Sequence, residues 1–180
     1  ISFLWTPEDT LAEREDKDRA PYTTWVRDGH LIAIPGRVID YGWVAKQIGD
    51  LQEDFDLQSI AYDPHKIEYL EAELDEQGID VALVPHSQGY FKPKDGVWMP
   101  KSVEIIEERI EKGEMRVQRN PVMTFCALSA VVVMDEHENK KFAKKKSTNR
   151  IDGMVSLAMA MGLANKANDE TSAIPIAVWA

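Results

Sequence analysis

The chain carries one cysteine in 180 residues, so no internal disulfide can hold it together. Cys126 lies in the apolar run VMTFCALSAVVV, where a free thiol behaves as a small buried hydrophobe and fits a reducing compartment. Positive charge is also scarce. The formal net charge is -10, which excludes a protein that coats nucleic acid indiscriminately, because neutralising phosphates takes Lys and Arg. Any nucleic-acid contact must be local. No apolar run reaches the roughly 18 to 20 residues that span a bilayer, and no charged-then-apolar leader opens these residues, so the chain reads as soluble and cytosolic. No Gly-x-x-x-x-Gly-Lys-Ser/Thr run is present to cradle nucleotide phosphates. His65, His86 and His137 do not have metal-ligand spacing, and no Ser/His or Cys/His pairing stands out. Internal repeats and low-complexity tracts are missing as well.

What remains is a hydrophobic share of 44% in a length that suits one domain with a sizeable core. ISFLW reads as a strand, although the chain opens on it without a methionine, as a piece of something longer would. Thr6 to Arg19 is a charged connector with one or two helical turns. Pro21 opens a short helix through Trp25 and Val26 that Gly29 ends, and HLIAIPG is a second strand. From Asp40, apolar residues recur at helical spacing, with Val44, Ile48, Leu51 and Phe55 on one stripe. QSIAYD then reads as a strand, HKIEYLEAELDEQG as a helix closed by Gly78, and IDVALVP as a buried strand. Strand, helix and strand alternating over short connections predict parallel pairing with helical crossovers, an α/β sheet. Ligand chemistry in such sheets sits at the carboxyl ends of the strands, where Asp63 lies.

Downstream of a Gly/Pro-rich loop, SVEIIEERIEKG reads as a helix with Ser102 at its N-cap, and NPVMTFCALS as a buried helix with Pro121 at its first position. AVVVMD and KKFAKKK flank the turn DEHEN, which predicts a hairpin with a basic return arm. Asn149 is the expected N-cap of a last helix whose Ile151, Met154, Val155, Ala158 and Met161 pack inward. Two aspartates stand at element ends. Asp63 before Pro64 also suits an N-cap, and Asp152, three residues after Asn149, also suits a return capping bond, so helix capping could explain either acid alone. Beside Asp152 runs a strip of six cations, Lys140, Lys141, Lys144, Lys145, Lys146 and Arg150, where a phosphodiester backbone could dock if the strip is not simply solvated.

The ordered segments LWTPEDTLAER, PYTTWVRDGHL with IPGRVIDY, IAYDP, QGY, NPVMTFCALSAVVVMD and KKKSTNRIDGMVSLAMAMG resemble the nuclease domain of the large terminase subunit of tailed bacteriophages and their prophages. The resemblance runs roughly from Phe3 to Gly162. It implies a ribonuclease H-like fold, with a mixed central sheet flanked by helices, over residues 1–164, followed by a C-terminal tail over 165–180. It further implies that Asp63 and Asp152 are catalytic and bind Mg²⁺ or Mn²⁺. A pair of such ions about 3.5 to 4 Å apart would serve in-line hydrolysis of concatemeric double-stranded DNA. The six cations would hold DNA, no other cofactor is expected, and the full assembly would include a phage portal and a small terminase subunit in the host cytoplasm. The family's leading acid sits on a strand before the one resembling ISFLW, and these residues lack that strand, so the fragment is expected to cut weakly. The loop carrying FKPKDGVW is longer and more charged than the family pattern, and the ATPase domain is absent. A resolvase or transposase of the same fold class, a non-catalytic module docking on the portal or small subunit, and a prophage remnant are the competing readings.

Overall fold

The computed structural model describes residues 2–94, 96–170 and 177–178. In chain order the elements are β1 (Trp5–Pro7), α1 (Leu11–Asp18), α2 (Tyr22–Arg27), β2 (Ile32–Ile34), α3 (Tyr41–Asp54), β3 (Ser59–Tyr62), α4 (Ile67–Glu76) and β4 (Ala82–Ser87). They continue with β5 (Val97–Trp98), α5 (Met99–Glu111), α6 (Pro121–Ser129), β6 (Val132–Met134), β7 (Lys140–Phe142), α7 (Asp152–Glu170) and β8 (Ala177–Val178). Strands β5, β4, β3 and β8 form one sheet in that order, all parallel, while β1 and β2 form a separate parallel pair and β6 and β7 an antiparallel hairpin.

Successive residues of β3 point to opposite faces of the sheet, and both faces are covered. Ile60 packs with Val44, Ala45, Ile48 and Leu51 of α3 and Leu70 and Leu74 of α4. Its neighbour Ala61 packs with Met99, Val103 and Ile106 of α5 and Val155, Ala158, Met159 and Leu163 of α7. The register carries this division across the sheet: Leu83, opposite Ile60, joins the first cluster, and Val84, opposite Ala61, joins the second. The result is a helix–sheet–helix sandwich of the α/β class, with a ribonuclease H-like mixture of parallel and antiparallel pairing. A third cluster, with Tyr22, Trp25, Leu31 and Val122 at its centre, joins α2 and α6. Trp25 meets Phe125 edge-on there, at 5.3 Å between ring centres.

Several local expectations shift. Strand pairing in ISFLW starts only at Trp5, and Phe55 leaves the α3 stripe because the chain turns extended there, exposing its ring. Ser102 does not cap α5. The helix starts three residues earlier, directly from β5 with Pro100 in its first turn, so Ser102 lies inside it and is fully buried. Asn149 lies outside the last helix, which begins at Asp152; the inward positions there are Ile151, Val155, Ala158, Met159 and Leu163, with Met154 and Met161 half-buried. Asn120, by contrast, caps α6 through its side-chain oxygen, which accepts from Val122 N at 2.8 Å and Met123 N at 3.3 Å.

Helices α5 and α7 approach closely where Gly162 faces Ser102. A methyl group at residue 162 would overlap Ser102 Oγ and come within 3.3 Å of Ser102 Cβ and 3.6 Å of His86 Nε2. Gly162→Ala is therefore expected to destabilise the fold by about 1–3 kcal/mol, as overpacking of a filled core does. Urea unfolding checks it, and the loss should shrink when Ser102→Ala is added.

Candidate active site around Asp63 and Asp152

Asp63 follows β3 immediately, at the carboxyl end of a strand with helices on both faces. Its side chain holds a tight turn: Oδ1 accepts from His65 N at 3.1 Å. Lys66 then adopts a left-handed conformation, φ 63°, and α4 starts only at Ile67, so Asp63 is not that helix's N-cap. The carboxylate is half-buried, and Oδ2 makes no hydrogen bond among the described residues.

Asp63 lines a cavity of about 350 Å³ together with Gln88, Phe142, Val155 and four lysines, Lys141, Lys144, Lys145 and Lys146. The hairpin delivers them. Its return strand β7 carries Lys141 and Phe142, and the following turn is closed by Lys146 N and Ser147 N, both donating to Ala143 O at 2.9 and 3.0 Å. Ser147 Oγ also donates to Ala143 O and accepts from Val131 N, pinning the turn to the start of the hairpin. Asp152 opens α7, where the helix dipole favours a negative charge. Its Oδ1 accepts from Lys144 Nζ at 3.2 Å. Lys144 thus belongs to the cavity of Asp63 and bonds Asp152.

The six cations differ in what they touch. Lys140 donates to Glu107 at 2.6 Å, and Arg150 donates to Asp18 Oδ2 at 2.9 Å. Asp18 is nearly buried and also accepts from Tyr22 OH at 2.8 Å. Burial, reinforced by that carboxylate, pushes the Tyr22 phenol well above its usual range. Lys141 sits over the Tyr90 ring, 4.3 Å from its centre. Lys145 and Lys146 also line the cavity, with no ion pair or side-chain hydrogen bond recorded among the described residues. Lys141, Lys144, Lys145 and Lys146 therefore face the cavity, while Lys140 and Arg150 brace the hairpin and the approach to α7.

Asp152 also lines a second, larger cleft of about 760 Å³ between β1, the end of α3, α6 and α7. The cleft walls include Trp5, Leu51, Phe55, Leu57, Leu157 and Met161. Thr6 Oγ1 and Ser156 Oγ, both in its lining, are buried without a hydrogen-bond partner among the described residues.

Three supporting residues were not recognisable as such from the sequence. His86, fully buried at the end of β4, meets Ser102 Oγ through Nε2 at 2.9 Å, while Ser102 Oγ donates to Trp98 O at 3.1 Å. Ser102 has one proton to give, so His86 carries its hydrogen on Nε2 and leaves Nδ1 to accept from Gln88 Nε2 at 3.3 Å. Gln88 in turn lines the Asp63 cavity. The QGY segment was the only sequence signal for this set.

Among the described residues no three His, Cys, Asp or Glu side chains converge on a metal cage. Asp63 and Asp152 line different cavities, and Lys144 is the side chain that the two share. Hard oxygen donors such as these carboxylates suit Mg²⁺ or Mn²⁺, which take one or two carboxylates and complete their shell with water and phosphate oxygens.

The family model described as "Terminase large subunit, endonuclease domain" matches residues 1–168. The chain belongs to that family. It is 43% identical over 163 residues to the terminase large subunit of Enterobacteria phage HK97, covering 91% of this chain and 31% of that protein. It is 26% identical over 167 residues to Protein YmfN of Escherichia coli K12, covering 89% of this chain and 35% of that one. The crystal structure of the HK97 bacteriophage large terminase superposes with a TM-score of 0.79 at 42% identity, over 88% of this chain and 32% of that one. This terminase nuclease domain thus spans about a third of the length of the relatives it matches. No described helix is long and apolar enough to cross a membrane.

The wall of the site should respond to acid. Burial pulls the His86 pKa down from 6.5 to about 4, partly opposed by a backbone hydrogen bond and by Asp63. The folded state holds this imidazole neutral while the unfolded chain protonates it near 6.5, so its contribution is complete above that pH and is lost as pH falls toward 4. The full loss is about 3 kcal/mol. Urea unfolding at pH 7 and pH 5 should show a larger drop for the native chain than for His86→Gln, and equal drops would refute the assignment.

Proposed function

We propose that this nuclease domain is a divalent-metal-dependent endonuclease that cuts concatemeric double-stranded DNA during phage packaging. The observation that carries the reading is Lys144, which joins the Asp63 cavity to Asp152 and so ties the two acids to one cationic surface. Asp63 and Asp152 would hold Mg²⁺ or Mn²⁺, in a two-metal site. When bound, such ions supply Lewis acidity to phosphodiester hydrolysis.

The chain's own residues account for the remaining tasks. Lys141, Lys144, Lys145 and Lys146 attract backbone phosphates at the mouth of the Asp63 cavity and read no base. The stack of Lys141 on Tyr90 limits where its charge can go, and the Ala143–Ser147 clamp fixes the turn on which the other three stand. Gln88, held by His86, adds an uncharged polar group to the wall of the Asp63 cavity. The ion pair of Arg150 with Asp18 anchors the segment leading into Asp152, which keeps that carboxylate at the start of α7. Portal and small-subunit contacts, and action in the host cytoplasm, belong to the same proposal.

A third acid, on a strand preceding β1, completes the proposed site. The 760 Å³ cleft supports this: it reaches Asp152 and holds two orphan hydroxyls, Thr6 Oγ1 and Ser156 Oγ, that an extended backbone could satisfy.

Plasmid cleavage with Mn²⁺ tests the reading. Asp63→Ala and Asp152→Ala should each remove metal-dependent cutting while DNA is still bound, and retained cutting in the double variant would overturn it. The 180-residue chain should cut far more slowly than one extended upstream by the missing strand; equal rates would exclude the third acid. Products should be double-strand ends on unbranched DNA, whereas a requirement for branched DNA would favour the resolvase reading. Replacing Lys145 and Lys146 together by Ala should reduce the slope of log affinity against log salt by about 2, measured by fluorescence anisotropy at several salt concentrations.

A further inference from the structure

Of the four lysines that line the Asp63 cavity, Lys144 is paired with an acid proposed as a metal ligand. Its Nζ lies 3.2 Å from Asp152 Oδ1, and the two side chains are 53% and 50% exposed. Both can therefore reach solvent, ions or phosphate without any change in the core. The backbone beneath Lys144 is fixed, since Lys146 N and Ser147 N converge on Ala143 O. Only the side chain has to move. The other cation–acid contacts of the strip are of a different kind: Lys140 grips Glu107 on α5, and Arg150 grips the nearly buried Asp18.

We propose that Lys144 is a tethered cation that occupies Asp152 until a divalent ion displaces it, and that it then serves a DNA phosphate at the Asp63 cavity. This rests on the metal-site reading above. An exposed ion pair is weak, so a divalent ion can replace the ammonium at a cost of only about two- to five-fold in affinity. In return, Asp152 is not left as an unbalanced carboxylate when the ion is away. The same arrangement couples the two ligands. A phosphate that draws Lys144 off Asp152 raises metal affinity, and by reciprocity bound metal raises DNA affinity by the same factor.

The test is Mn²⁺ titration of the 180-residue chain without DNA, read by electron paramagnetic resonance of the free ion. Lys144→Met should bind Mn²⁺ about two- to five-fold more tightly than the native chain. Lys144→Arg, which keeps a charge beside Asp152, should not. Lys146→Met removes the same charge from the cavity without touching Asp152 and should give a clearly smaller gain. Within an Asp152→Asn background, Lys144→Met should give no more than the small gain of Lys146→Met. All four positions are at least partly exposed, and circular dichroism checks that each variant is folded. Unchanged or weaker Mn²⁺ binding by Lys144→Met, or an equal gain from Lys146→Met, overturns the role of Lys144 while leaving the metal site standing. Mn²⁺ binding that is undiminished in Asp63→Asn/Asp152→Asn overturns the metal-site reading itself, and this proposal with it.

Discussion

Helix α7 reaches the sheet because residue 162 has no side chain. The space that a methyl group would fill holds the Ser102 hydroxyl, and that hydroxyl is the acceptor for a buried, neutral His86. One close contact between α5 and α7 therefore satisfies a polar group that would otherwise be stranded in the core, and an unpaired buried group costs more than a hydrogen bond earns back. The consequence extends to the cavity wall and to the start of α7. Its seating sets where Asp152 emerges, and the same hydrogen-bond chain runs from the Trp98 carbonyl through Ser102 and His86 to Gln88 at the cavity wall. Packing and site are thus one structure here.

Charge is organised by a similar economy. The body of the protein is acidic, yet the cations that meet the Asp63 cavity come from one short hairpin and its following turn. Two of the six basic residues of the strip are consumed in bracing, through Glu107 and Asp18, and those braces give the others fixed origins. A net acidic protein with a basic opening at this cavity resists non-specific adhesion to a polyanion while favouring approach there. The helix N-terminus at Asp152 adds a fixed positive partial charge to that opening.

Much of this was legible in the sequence wherever a period or a punctuating residue spoke for itself. Val44, Ile48 and Leu51 recur at helical spacing and do form the buried face of α3, and Pro121 marks the first position of α6. The strand ending at Asp63 and the hairpin with its basic return arm were equally plain. What escaped was non-local. Ser102 lies two residues after Pro100 and precedes an amphipathic run, which imitates a cap; contacts with His86, sixteen residues away, and with Gly162 explain its burial. Nothing near Arg150 marks its ion pair with Asp18, 132 residues upstream, or the parallel pairing of β1 with β2. Capping arguments for Asp63 and Asp152 failed to decide their roles because a carboxylate that ends an element satisfies local and distant demands with the same atoms.

The position of α7 in the chain has a consequence for how the protein is made. The cluster around Ala61 contains β3, α5 and α7, so residues about a hundred positions apart must meet before one face of the sheet is covered. A ribosome adding about 5–20 residues per second exposes β3 and β4 for several seconds before α7 exists. During that interval the α3–α4 face can already be packed, because its partners lie in adjacent sequence, while the opposite face stays apolar and open. Synthesis therefore passes through a half-covered sheet, and the last helix closes it.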